Sequence, residues 1–260
     1  MKPRIAVIIP ARLNSKRYPG KVLAKIFGLP MLEHVRRRVL LCPGVDEVVV
    51  ATCDPEIIAS VRSFGGKTIK TSDAHHSGTD RIAEACAKID CTHVVDVQGD
   101  EILFVPGYLA RMIKAIKSDP EVPFWNATAP IEKADELDRP SIVKCAVSGK
   151  GRILFCFRRS PCFGKIGVGD GSPVRRIMGL SAFRKPFLRL ISRTKPTPIE
   201  LSESIEQLRI LESGFGLRSL ELERGYPSVN VPAEAKLAVK ILRSDPLQKK
   251  ILAAVLAARR

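Results

Sequence analysis

Four cations, Arg12, Lys16, Arg17 and Lys21, fall in the segment Ile9-Pro10-Ala11-Arg12-Leu13-Asn14-Ser15-Lys16-Arg17-Tyr18-Pro19-Gly20-Lys21. It directly follows the apolar run Ile5-Ala6-Val7-Ile8-Ile9, which reads as a buried first strand. A strand that opens into a cationic loop suits a polyanion lying across the carboxyl end of a sheet. The glycine spacings of a P-loop or a dinucleotide fingerprint are missing. Side-chain charge and backbone amides together would therefore hold a triphosphate here. Three further clusters could meet this loop. His75-His76-Ser77-Gly78-Thr79-Asp80-Arg81 stands at a helix entry, where Ser77 or Thr79 could cap and free amides could face an anion. Val97-Gln98-Gly99-Asp100-Glu101 sets carboxylates just beyond a strand, and Ser228-Val229-Asn230-Val231-Pro232 forms the tip of a late one. Asp100 beside a phosphate loop suits Mg²⁺, which takes one or two carboxylates with phosphate oxygens and water; a turn or capping acid is the plainer alternative. His75 and His76 suit a loop role or a phosphate contact better than a metal, because adjacent residues in one loop seldom converge on one ion.

Alternating strand and helix patterns must position these clusters. After the loop, Pro30 starts a helix Met31 to Leu41 with an expected cationic outer face at Arg36, Arg37 and Arg38. Strands are expected over 45–52, 67–70 and 93–98, and helices over 55–64, 79–89 and 106–118. Repeated strand–helix–strand units of this length predict an α/β fold with a doubly wound, mostly parallel, Rossmann-like sheet and helices on both faces. Beyond Pro123 the rhythm changes. Strands over 127–130, 142–148, 153–157 and 176–183 follow without helices, around a glycine-rich loop over 164–171. Helices are then expected over 186–192 and 198–213, a strand over 217–222, and helices over 232–242 and 246–260. This divides the chain into a first α/β half (1–125), a strand-rich subregion (126–185), a return to the main domain (186–245) and a basic amphipathic carboxyl-terminal helix (246–260).

Composition narrows the class. The 260 residues suit one large domain with a modest insertion. No apolar run approaches the ~20 residues a membrane helix needs, and Met1-Lys2-Pro3-Arg4 runs straight into the first strand, so a cytoplasmic protein without a signal peptide is expected. Seven cysteines with no CxxC pair read as buried thiols rather than a zinc site or a disulfide framework. The net charge is +16, and residues 144–195 hold thirteen Lys or Arg against one acid, Asp170. An anionic substrate explains such a surface; nucleic-acid patches carry interleaved aromatics, but Phe155, Phe157, Phe163, Phe183 and Phe187 fall at spacings that also suit strand and helix cores, so no nucleic-acid partner is expected.

The IPAR…RYPGK loop, HHSGTDR, VQGDE and the TPIE…IEQLR run stand in the order and spacing found in the 3-deoxy-manno-octulosonate cytidylyltransferases (CMP-Kdo synthetases), which the chain resembles from Ile8 to about Leu237. The resemblance implies that CTP and an eight-carbon sugar acid give the CMP-sugar and pyrophosphate, a step of lipopolysaccharide biosynthesis. It implies that Ala11, Arg12, Lys21, Ser77, Arg81 and Gln98 hold CTP, with Gln98 reading the cytosine and Arg12 and Lys21 neutralising phosphates. It implies a sheet of nucleotidyltransferase type, with nucleotide binding in residues 1–125 and sugar binding and dimerisation in 126–185, Mg²⁺ at Asp100, sugar-acid contacts at Arg158, Glu206 and Gln207, and a homodimer formed through residues around 130–185.

The pattern breaks at two places. Asn230 stands where the family carries a second metal-binding Asp, so one negative charge is gone although an amide oxygen remains. Ile177-Met178-Gly179-Leu180-Ser181 replaces a His-Leu-Gly-Ile-Tyr stretch, and Phe157 a serine, which alters the sugar contacts and hence the preferred acceptor. A related 2-keto-3-deoxy sugar acid is thus the expected acceptor. A nucleotidyltransferase for another sugar or NTP, or a non-catalytic nucleotide-binding homologue, are the other readings of the sequence.

Overall fold

Strand β1 (Ile5–Pro10) is buried along its whole length, as a strand must be when helices cover both faces of its sheet. In the computed structural model, which describes residues 2–75, 77–160, 167–169 and 171–258, the chain continues through the short pair β2 (Lys25–Ile26) and β3 (Leu29–Pro30). Helix α1 (Met31–Leu40), β4 (Glu47–Thr52), α2 (Pro55–Ser63), β5 (Lys67–Lys70), α3 (Gly78–Ala87), β6 (His93–Val97) and α4 (Pro106–Ser118) follow. The second half holds β7 (Phe124–Pro130), β8 (Lys144–Val147), β9 (Arg152–Phe157), β10 (Val174–Arg184), α5 (Lys185–Ile191), α6 (Pro198–Glu203), α7 (Gln207–Glu212), β11 (Leu217–Glu221), α8 (Pro232–Ser244) and α9 (Pro246–Ala257). Residues 164–166 and 170 of the expected loop over 164–171 lie outside the described residues, as do Cys162 and His76.

Among the described residues the main sheet has the order β5-β4-β1-β6-β10-β7-β11-β9-β8. The pairs β1–β4, β1–β6, β4–β5 and β7–β11 are parallel, and β10 runs antiparallel to β6, β7 and β8. The chain moves outward from β1 to β4 and β5, then returns to lay β6 on the other side of β1. Strand order therefore reverses between β1 and β6, and the crevice beyond their carboxyl ends is where open α/β sheets bind ligands. One face packs α1 and α4 through Val35, Val39, Leu109, Met112 and Ile116, and the other packs α3 and α5 through Ile82, Cys86, Phe187 and Leu188.

Two expectations are corrected. Arg36, Arg37 and Arg38 form no outer face: all three are buried. Glu33 takes Arg36 and Arg37 at 2.7 Å each, and Arg38 donates to the Phe104 carbonyl and to Gln248 Oε1. Helix α9 covers Arg37 and Arg38, packing Ile251, Leu252 and Val255 into the core and offering carbonyls to Arg37, whereas Arg36 is covered by the end of α2 and donates to the Phe64 carbonyl at 2.9 Å. The helix expected at the carboxyl end is thus present, with one face buried. Finally, the helix expected over 198–213 is two helices, broken where Ser204 takes a left-handed backbone (φ 52°).

Candidate active site

The loop after β1 and the loop after β6 close on each other at the reversal point. A Cβ on Gly99 would stand 3.0 Å from the Pro10 carbonyl and 3.3 Å from Leu32, so glycine lets the two loops approach this closely. Asp54 anchors the cationic loop by accepting from the Leu13 amide at 2.9 Å. A groove of about 680 Å³ results, lined on one side by Ala11, Arg12, Ser15, Lys16, Arg17 and Lys21. Its other wall is the amino end of α3, where Ser77 caps the helix by accepting from the Asp80 amide at 3.1 Å, with Arg81 and Gln98 beside it. Cationic side chains and a helix start facing one space make an anion site. Arg12 and Lys16 form no ion pair among the described residues. Arg81 is buried and also braces the groove from behind, donating to Ser72 O at 3.3 Å.

A second cavity, of about 350 Å³, opens under β6 and β10. Asp96 of β6 lies opposite Ser181 of β10, and Ser181 opposite Asn126 of β7, so these three side chains share one sheet face and all line the cavity. Between Ile177 and Ser181 the register of β10 shifts in a bulge. Gly179 sits in it with no room for a side chain, because a Cβ there would collide with the Glu101 carboxylate. Gln207 donates to Asn126 Oδ1 at 2.9 Å, and Thr79 donates to Glu206. Both α7 residues therefore reach the cavity from the break at Ser204.

Arg158 does not. Its guanidinium donates to the carbonyls of Glu203 (2.7 Å), Ser204 (3.0 Å) and Pro140 (2.6 Å), and so staples the α6–α7 turn whose carbonyls the helix break leaves unpaired. The arginine that lines the cavity is Arg176, and its Nε is buried without a partner among the described residues. Nothing in the sequence separated Arg176 from the other cations of the basic stretch. Asp96, by contrast, was signalled by an acid amid the apolar run His93-Val94-Val95-Asp96-Val97.

Groove and cavity meet. Gly78, Gln98, Asp100, Ser204, Glu206 and Asn230 line both. At the junction Lys21 Nζ donates to Asp100 Oδ2 at 2.5 Å and to the Val229 carbonyl at 2.8 Å, while Arg17 donates to Asn230 Oδ1 at 3.2 Å. The Asp100–Lys21 pair thus ties the β6 loop to the Ser228–Pro232 segment. Burial pushes Glu101 up to about 8, with the Asp100 charge adding and Arg176 opposing.

The family model described as Cytidylyltransferase matches residues 6–223. A 3-deoxy-manno-octulosonate cytidylyltransferase of Geobacter metallireducens is 36% identical over 92% of this chain and 98% of its own. The chain belongs to the 3-deoxy-manno-octulosonate cytidylyltransferase family. The mitochondrial relative of that name from Arabidopsis thaliana is 33% identical over 93% of this chain and 84% of its own. A solved CMP:2-keto-3-deoxy-manno-octonic acid synthetase complexed with CTP superposes with a TM-score of 0.85, at 33% identity, over 93% of this chain and 99% of that one. An inositol-1-phosphate CTP transferase from T. maritima, at 14% identity and a TM-score of 0.64, shares the fold. The α/β nucleotidyltransferase architecture read from the sequence is the one found in this cytidylyltransferase.

Asp96 is a buried carboxyl with no cation among the groups acting on it. Burial raises its carboxyl well above the usual range, the nearby charges of Glu206, Asp100 and Glu101 raise it further, and only a hydrogen bond from Gln98 (2.7 Å) opposes them. The folded chain then keeps a proton that the unfolded chain loses above about pH 4. Because the native state binds more protons, stability falls as pH rises through that window, by up to about 1.4 kcal/mol per pH unit for one proton. Asp96→Asn is expected to flatten this slope and to stabilise the ligand-free protein at neutral pH by about 1–3 kcal/mol. Urea unfolding of both forms between pH 5 and 8 checks this; parallel curves would contradict it.

Proposed function

We propose that the protein transfers the cytidylyl group of CTP to the anomeric hydroxyl of 3-deoxy-manno-octulosonate or a related 2-keto-3-deoxy sugar acid, releasing pyrophosphate. The supporting observation is the junction itself: a cation-lined groove and a separate polar cavity that meet at Asp100 and Asn230. The triphosphate lies along Arg12, Lys16, Arg17 and Lys21, with the amino end of α3 facing it. Gln98, at the groove's inner wall, reads the base. The acceptor occupies the cavity, where Glu206 and Gln207 meet its hydroxyls. Arg176, rather than Arg158, takes its carboxylate, because a guanidinium with an unsatisfied donor is the natural two-pronged partner of that group.

The acceptor hydroxyl gives up its proton to water in the groove as its oxygen attacks the α-phosphorus in line; the new P–O bond forms as the bond to the β-phosphate oxygen breaks, and pyrophosphate leaves with the charge. Both substrates are anions, so holding them together at the junction and neutralising their charge supplies most of the rate. Asp100 and the Asn230 amide oxygen would hold Mg²⁺. They are hard oxygen donors that suit the ion, and they are few enough that triphosphate oxygens and water would complete its shell; among the described residues no group of three acidic, His or Cys side chains forms a closed cage. When bound, the ion neutralises the triphosphate and lowers the pKa of a coordinated hydroxyl. Lys21, fixed between Asp100 and Val229, keeps that carboxylate aimed at the groove.

We further propose a homodimer formed through the strand-rich middle, where β9 exposes Leu154 and Phe155, and action in the cytoplasm, where CTP is made. Pyrophosphate release tests the function. The expected result is release with CTP and the sugar acid together, strongly favoured over ATP, GTP or UTP. A different preferred nucleotide would contradict the reading.

A further inference from the structure

Two thiols that cytidylyl transfer does not use meet at the far end of α3. Cys86, in the last turn of that helix, and Cys91, just before β6, place their sulfurs 3.9 Å apart. Lys185 of α5 holds the short turn between them, its ammonium donating to the Ile89 carbonyl at 2.6 Å. Cys86 packs into the core beside Ile82 and Ala85, while Cys91 is 8% exposed and follows the exposed Asp90. A hydrogen bond from the Cys86 thiol, helped by the Lys185 charge, lowers the Cys91 thiol below its ordinary range against the effect of burial. A cysteine that favours its thiolate, with a second thiol within reach, has what disulfide chemistry requires.

The two elements joined here also carry two walls of the nucleotide groove. Ser77 caps α3 and Arg81 lies one turn on, while Gln98 and Asp100 follow β6. Forming an S–S bond draws the sulfurs together from 3.9 Å to about 2 Å. A close-packed interior passes such a displacement on, and α3 carries it to the groove.

We propose that Cys86 and Cys91 are a redox switch: a hydroperoxide joins them in a disulfide that shifts α3 against β6 and weakens the groove, and a dithiol reductant reverses it. The Cys91 thiolate attacks one peroxide oxygen; an S–O bond forms, the O–O bond breaks, and the hydroxide released takes up the proton that Cys91 lost. The Cys86 sulfur then attacks the Cys91 sulfur. The S–S bond forms, the S–O bond breaks, and hydroxide leaves with the Cys86 proton as a second water. The thiol pair loses two electrons and the peroxide gains them.

Trypsin cuts after Arg81, Lys88 and Arg111, which leaves each cysteine alone in its own peptide. Hydrogen peroxide should join these two peptides in the native protein, and dithiothreitol should separate them. Oxidation should lower kcat/KM for CTP by about tenfold or more, since a misplacement of 1 Å can cost about 10²-fold, and reduction should restore it. Cys86→Ala and, independently, Cys91→Ala should keep the native rate and lose the response. Peptides that stay separate while the half-buried Cys53 is oxidised would overturn the switch. So would joined peptides with an unchanged kcat/KM, or a loss of rate that persists in both variants.

Discussion

Lys21→Ala is expected to lower kcat/KM for CTP by about 10²–10³-fold, the usual cost of losing one aimed donor at a site of developing charge. Lys21 is buried at the junction, and its ammonium holds both Asp100 Oδ2 and the Val229 carbonyl. Removing it takes a positive charge from the triphosphate path and frees the tie between two loops that arrive from opposite ends of the chain. Both effects fall on the transition state more than on ground-state binding, so kcat should fall more than KM rises. Lys21→Arg should rescue poorly, because a planar fork cannot reproduce a point charge in this narrow setting. Steady-state kinetics on the two variants check the split; Lys21→Ala turning over at the native rate would remove the loop from the site.

The second large effect is at the junction carboxylate. Asp100→Asn should reduce Mg²⁺-supported turnover by at least about 10³-fold, since it removes the one anionic donor of a two-residue set and leaves two amides. The converse substitution is informative. Asn230→Asp adds a charge where Arg17 now donates to an amide oxygen, and should lower the Mg²⁺ concentration for half-maximal activity by about tenfold, equivalent to about 1.4 kcal/mol. A magnesium titration of the three proteins reads both. Undiminished activity in Asp100→Asn would contradict the metal assignment. Turnover that appears only in Asn230→Asp would mark the native protein as a nucleotide binder that has lost catalysis.

The nucleotide side of the site was legible because each of its clusters is contiguous in sequence and sits where a strand ends. The β1 loop, the α3 entry and the segment after β6 could be read as units, and the reversal of strand order brings them together. The cavity side was less legible because its lining is drawn from β6, β7, β10 and α7, elements far apart in the sequence, rather than from one run at a strand end. Whether Arg158 or Arg176 faced the cavity depended on the break at Ser204, which frees the carbonyls that Arg158 takes up; a continuous apolar stripe through Leu201, Ile205, Leu208 and Leu211 conceals that break. Likewise Arg37 and Arg38 looked like part of a solvated face because the helix that covers them lies more than two hundred residues away in the chain, and Arg36 because the end of α2 covers it. Glu33, at helical spacing from Arg36 and Arg37, was the local sign that those charges were paired. In the strand-rich half the register of β10, with its bulge at Gly179, was set by the contact with Glu101, which no local pattern encodes.

The claim on which all else depends is that the groove beyond β1 and β6 grips CTP. Isothermal titration of the folded protein with CTP in the presence of Mg²⁺ tests it most directly. One site per chain is predicted, with affinity weakened at least tenfold in Lys21→Ala and at raised salt. A titration showing no heat of binding, or equal binding by the native protein and Lys21→Ala, would contradict it.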